Sequence, residues 1–125
     1  MRLAAKITSF EDDGYSTTLA FGSDGADPER YVILQIVNDP EPQDFRLGHD
    51  GVHLEIEGGR LTGYNLLSAM EASAESIRLE LSAVAASRVG GARWIDISLP
   101  DRTISGLTIE EALRSFKVRM PGAQR

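Results

Sequence analysis

The chain has 125 residues, 42% of them hydrophobic and 26% charged, with a formal net charge of −6 and no cysteine. A chain of that length suits one domain over residues 1–125 and can build a core without a disulfide or a metal. The missing thiols exclude disulfide scaffolds, thiolate metal sites and cysteine nucleophiles; the acidic balance disfavours nucleic acid as a partner; and no apolar run is long enough to span a membrane.

"MRLAAKITSFEDDGY" lacks the long apolar core of a secretory signal. Within it, "LAAKITSF" reads as a first strand, with Leu3, Ala5 and Ile7 on one face. "EDDGY" is a tight turn, since Asp-Gly supplies the positive φ a hairpin needs. "YSTTLAFG" follows as a strand, with Tyr15, Thr17, Leu19 and Phe21 on one side. "GSDGADPER" is a loop. "RYVILQIVN" is apolar on both faces from Tyr31 to Val37 apart from Gln35, which predicts a central strand covered on both sides. A buried amide must find partners, so Gln35 is expected to tie the sheet to the next loop through Gln43 or Asp44. That loop, "NDPEPQDFRLGHDG", reads as a long polar connection whose two prolines forbid a sheet ladder.

"VHLEIEG" alternates, with Val52, Leu54 and Ile56 inward and His53, Glu55 and Glu57 outward; "EGGR" then turns the chain. "LTGYNLLSAMEAS" is compatible with helix or strand. Strand is favoured because "AESIRLELS" alternates after it, which suggests a hairpin turning near Ser73–Glu75. "SAVAASRVGG" suits a short helix or turn ended by its glycines. "ARWIDISLP" is a strand with Ile95, Ile97 and Leu99 opposite Trp94, Asp96 and Ser98, stopped by Pro100. "LTIEEALRSFKVRM" is the clearest helix. Thr108 and Glu111 form a capping box, Ile109, Leu113, Phe116 and Met120 form one apolar stripe, and Pro121–Gly122 ends it. The sum is an α+β fold: a mainly antiparallel sheet of about seven strands with a C-terminal helix packed on one face.

The densest chemistry lies in "LGHDGVHLEIEGGR". In an extended chain His49 and His53 would lie roughly 13 Å apart, too far to act together. His53 and Glu55 share one strand face about 6–7 Å apart, which could hold an ion but reads more simply as a wet face. "HDG" reads as a turn in which Asp50 caps its own backbone and Gly51 takes positive φ. Asp12–Asp13 and Asp24, Asp27 and Glu29 are acidic clusters beside glycines, but they lack the ligand spacing of a calcium loop. No serine-nucleophile elbow or phosphate-binding glycine loop occurs. Trp94 is expected in the core or at its rim, with a partner hot spot as the alternative.

Three stretches, "RYVILQ", "PEPQDFRLGHDGVHLEIEGG" and "TGYNLLSAMEASAESIRLEL", together resemble the immunity protein 10 family of bacterial polymorphic toxin systems. The resemblance rests on Leu34–Gln35, an E-x-Q-D element at Glu41–Asp44, an L-G-x-D element at Leu47–Asp50, the strand at His53–Glu55, and Gly63–Tyr64. It covers Tyr31 to about Leu81. His53 stands where the family pattern carries an aromatic. The resemblance implies cytoplasmic neutralisation of a cognate protein toxin by direct binding, with no catalysis and no cofactor. The acidic charge would suit a basic toxin. The expected binding patch is Gln43, Asp44, His49, Asp50, His53 and Glu55. Two alternatives stand beside it: a small metal-dependent hydrolase using His53 and Glu55, and a self-associating domain that forms a homodimer through an exposed strand edge.

Overall fold

Ala5 donates its N–H to Ser98 O at 2.9 Å, and the very next residue, Lys6, donates to Gly22 O at 2.8 Å. These two bonds belong to different sheets, so the first expected strand is in fact two. The computed structural model describes residues 1–24, 30–101 and 103–120. Within it, β1 (Arg2–Ala4) and β2 (Ile7–Asp12) flank the crossing. The same thing happens between β6 (Leu61–Tyr64) and β7 (Leu67–Ala72). Asn65 N–H reaches Val52 O at 3.1 Å, whereas Leu66 O accepts from Ser82 N–H at 2.8 Å.

The remaining elements are β3 (Ser16–Gly22), β4 (Tyr31–Val37), α1 (Pro42–Leu47), β5 (His53–Ile56), β8 (Ser76–Leu81), α2 (Ala83–Arg88), β9 (Trp94–Ser98), β10 (Thr103–Ile104), β11 (Leu107–Thr108) and α3 (Ile109–Lys117). β2-β3-β4-β5-β6 form a five-stranded sheet and β1-β9-β8-β7 a four-stranded one, while β10 and β11 make a small hairpin. All pairings are antiparallel except β1 with β9. The fold is α+β, with eleven short strands among the described residues where about seven longer ones were expected. Two of the extra strands come from the crossings and two from the hairpin before α3.

The inner faces of both sheets share one core. Leu19, Leu34 and Leu54 form one cross-strand row and Phe21, Val32, Ile56 and Leu61 another. Ile77, Leu79, Ile95, Ile97, Leu3 and Met70 supply the second sheet's share. Each such side chain, fully buried, contributes about 1.5–3 kcal/mol. In α3, Ile109, Ala112, Leu113 and Phe116 are buried and Met120 packs against them. The helix lies against β7 of one sheet and β4 of the other, as well as the β10–β11 hairpin, so it does not rest on a single sheet face. Its capping box is present: Glu111 N–H donates to Thr108 Oγ1 at 3.1 Å, and Thr108 N–H to Glu111 Oε1 at 3.2 Å.

A crossing explains one misplaced side chain and a turn another. Ile7 does not join Leu3 and Ala5 inside but is 44% exposed. Changing sheets at Ala5–Lys6 flips the parity, so Thr8 and Phe10 face Phe21 and Leu19 instead. Tyr15 lies in the turn before β3 and is exposed, while Thr17, Leu19 and Phe21 are buried as expected. That turn forms on Gly14 at φ 91, with Asp12 Oδ1 accepting Gly14 N–H at 2.9 Å. The loop "GSDGADPER" with Asp27 and Glu29, and the end signal Pro121–Gly122, lie largely outside the described residues.

Trp94 is half-buried on the outer face of the four-stranded sheet. The Arg78 and Arg93 guanidinium carbons sit 4.4 Å and 5.4 Å from its ring centroid, an arrangement that attracts cations to the π-face. Asp96 and Glu80 pair with those arginines, each at 2.8 Å, which makes this face a charged network.

Candidate functional site

The stretch read as a long polar connection contains α1. Its physical reasons were present in the residues. Pro42 opens the helix, where a fixed φ and a missing N–H cost nothing. Asp44 Oδ2 accepts the Glu41 N–H at 2.8 Å and satisfies one end donor. Gly48 closes the helix in the left-handed region at φ 74. Gly48 N–H then reaches Phe45 O at 3.2 Å, and His49 N–H reaches Asp44 O at 2.8 Å, a Schellman termination. None of the α1 residues is buried. Phe45 and Leu47 are 59% and 57% exposed, beside the exposed Gln43.

This helix end redirects the chain, so the extended spacing assumed for the histidines does not apply. His49 stacks on Tyr64 with centroids 4.4 Å apart and planes at 17°. His53 meets the same ring edge-on at 4.8 Å and 73°. His53 and Tyr64 are direct partners across β5 and β6. The two imidazoles therefore converge on one tyrosine, contrary to the expectation that they could not act together. Tyr64 belongs to the Gly63–Tyr64 element of the family likeness, and nothing in its spacing along the chain places it under both rings.

The turn between α1 and β5 is fixed by Asn65 and Arg119. Asn65, itself at φ 57, donates from Nδ2 to Gly48 O at 3.3 Å. A Cβ on Gly51 would lie 2.1 Å from Asn65 Oδ1. Gly51 is thus required for space, not for the positive φ expected of it. Arg119, just past α3, donates to the carbonyls of Val37 at 2.8 Å, Asn38 at 2.7 Å and Asp50 at 3.1 Å. This ties both stems of the α1 excursion to one guanidinium, and Asp50 takes part through its backbone.

Farther along the outer face of the five-stranded sheet, Glu55 and Glu57 meet Tyr31. The Tyr31 hydroxyl donates to Glu55 Oε2 at 2.7 Å and accepts Gly58 N–H at 3.3 Å. The Glu55 contact holds the Tyr31 phenol above its usual pKa. Glu57 accepts from Tyr31 N–H at 3.3 Å and pairs with Arg30 at 3.5 Å. His53 and Glu55 do share one face, as the alternation implied, but each turns to a different tyrosine. Among the described residues no three His, Asp or Glu side chains form a group able to hold a metal ion.

Gln35 corrects two expectations. β4 is central, but its outer face is not buried: Tyr31, Ile33 and Val37 are partly exposed and Gln35 is exposed. Gln35 donates to Thr18 Oγ1 at 3.1 Å and Ser16 Oγ at 3.4 Å on β3, not to Gln43 or Asp44. The structure thus brings His49 and His53 together, leaves Glu55 one row away with Tyr31, and carries Gln43 and Asp44 on α1.

These residues fall within a stretch that matches a known sequence family. The family model of Immunity protein 10 matches residues 3–105, most of the chain and well beyond the central stretches that carry the likeness. The chain belongs to the Immunity protein 10 family. No curated protein gives a significant match. α3 lies beyond the matched region, after β11.

Proposed function

We propose that this chain neutralises a cognate protein toxin by binding it directly, without catalysis and without a cofactor. Family membership supports an immunity role. The observation that carries the binding mode is the outer face of the five-stranded sheet. β4 is apolar on both sides, yet Ile33 and Tyr31 on its outer side are only partly buried, and neighbouring Ile7 is 44% exposed. Such a face loses little by remaining open in the free protein and gains hydrophobic free energy when a partner covers it. Beside it stand His53, Glu55, His49 and Asp50, and on α1 Gln43, Asp44, Phe45 and Leu47. This is an apolar centre with a polar rim, the usual anatomy of an interface.

The net charge of −6 favours a basic toxin by steering encounter and by pairing at the rim. The reading places the protein in the cytoplasm, where such a toxin would act. Co-expression with the toxin domain encoded beside this chain tests it. Wild type should restore growth and co-purify with the toxin, and Ile33→Glu should lose both while keeping its thermal melting profile. Absence of protection and of co-purification for the wild type would overturn the reading.

A further inference from the structure

The outer face of the five-stranded sheet carries a depression of about 330 Å³, whose lining includes Ile7, Ala20, Gly22, Tyr31 and Ile33 and the carboxylates Asp24 and Glu55. Its origin lies in the register. Ile7, Gly22 and Tyr31 form one cross-strand row, and Ser9, Ala20, Ile33 and Glu55 the next. On the outer side β3 offers only Gly22 and Ala20, while β2 and β4 raise Ile7, Tyr31 and Ile33 on either side. A trough therefore runs along β3 between Ile7 on one side and Tyr31 and Ile33 on the other.

The volume is at the small end of the roughly 300–1,000 Å³ typical of small-molecule pockets, and it has room for one long side chain. Its polar groups are acidic. Tyr31 occupies Glu55 Oε2, and among the described residues no other group bonds to that carboxylate. Asp24 has no ion-pair partner among the described residues. A largely apolar trough with two carboxylates in its lining matches a long side chain with a cationic tip.

We infer that this trough receives a basic side chain, lysine or arginine, projected by the toxin. The inference rests on the toxin-binding reading and adds its anchor point. The stem lies over Ala20 and Gly22 between Ile7 and Ile33, and the head meets Glu55 and Asp24. Charge-assisted hydrogen bonds to Glu55 supply the preference over a neutral chain.

The test uses the full chain and capped tripeptides, Ac-Gly-X-Gly-NH2 with X arginine, lysine or norleucine, followed by amide NMR. The arginine and lysine peptides should shift Ala20, Gly22, Tyr31, Ile33 and Glu55, with norleucine about tenfold weaker for want of a charged hydrogen bond. Glu55→Gln, which keeps an acceptor for Tyr31, and Ala20→Leu, which fills the trough, should each weaken the basic peptides. Norleucine binding as tightly as arginine, or shifts centred elsewhere, overturns the inference. A toxin that binds Ala20→Leu as tightly as wild type also overturns it while leaving the immunity reading intact. A toxin that binds no form of the protein removes that reading, and the peptide shifts still decide whether the trough selects cations.

Discussion

His49 lies flat on Tyr64, ring centroids 4.4 Å apart, although the two residues come from a helix end and the last position of a strand. His53 closes the edge of the same ring. An aromatic pair of this kind is worth about 0.5–1.5 kcal/mol beyond the area it buries. Tyr64→Ala should lower unfolding free energy by roughly 1–3 kcal/mol for two such pairs, measured in urea. The ring protons of both histidines should shift together, because one ring current acts on both.

Gly51→Ala forces a methyl into Asn65. Overpacking of this sort costs about 1–3 kcal/mol. Asn65 occupies a left-handed backbone position that glycine adopts freely. The double variant Gly51→Ala with Asn65→Gly should therefore recover much of the loss. Denaturant midpoints of the two singles and the double measure the coupling.

Arg119→Met removes a cation that satisfies three carbonyls. Hydrogen bonds involving a charged group contribute about 1.5–3 kcal/mol each, though bonds sharing one guanidinium do not add. A loss on the order of 2–4 kcal/mol is expected. Amide exchange should accelerate from Asn38 to Asp50, since both stems of the α1 excursion lose one anchor. Exchange unchanged in that stretch would remove Arg119 from this role.

Thr108→Ala should cost about 1 kcal/mol, the usual value of an N-cap. It should also let the Glu111 carboxyl titrate closer to its ordinary range. The Thr108 N–H is the first cause of its lowered pKa and the Thr108 hydroxyl the second. Carboxyl chemical shifts followed through acid pH would report this.

Acid and alkali should destabilise the protein through different residues. Ser16 and Tyr15 N–H groups hold Asp13 below the usual carboxylate range, and the Ser68 hydroxyl, then Arg93, do so for Glu80. A folded-state pKa below the unfolded one means the unfolded chain binds protons more readily. Their contribution is therefore intact above the ordinary carboxylate range and is lost as pH falls through the lowered values. Tyr31 runs the other way. Its pKa is raised, first by the bond to Glu55, so its contribution is intact below the ordinary phenol range and is lost as pH climbs through the raised value. Tyr31→Phe should flatten the alkaline limb of a stability–pH curve, and Glu80→Gln should flatten part of the acid limb.

The sequence by itself determined the local elements. Alternation at Val52–Ile56 and Ser76–Leu81, the Asp-Gly turn at Asp13–Gly14, and the Thr108–Glu111 box depend on neighbours within a few residues, and each holds in the structure. α1 was legible in the same way, from Pro42, Asp44 and Gly48, because a proline that forbids a sheet ladder also suits the first position of a helix. Family membership was also within reach, since short elements in fixed order survive translation into a pattern.

Only the tertiary structure decided where the chain changes sheets, because at Ala5–Lys6 and Asn65–Leu66 the switch is completed by bonds to distant strands. The switch at Ala5–Lys6 left Ile7 outside, and the β2–β3–β4 register set Ala20 and Gly22 between taller neighbours. The pairing of β5 with β6 and the turn after α1 brought His53 and His49 onto Tyr64. Burial on a sheet face depends on what stands opposite, and no pattern along one strand records that.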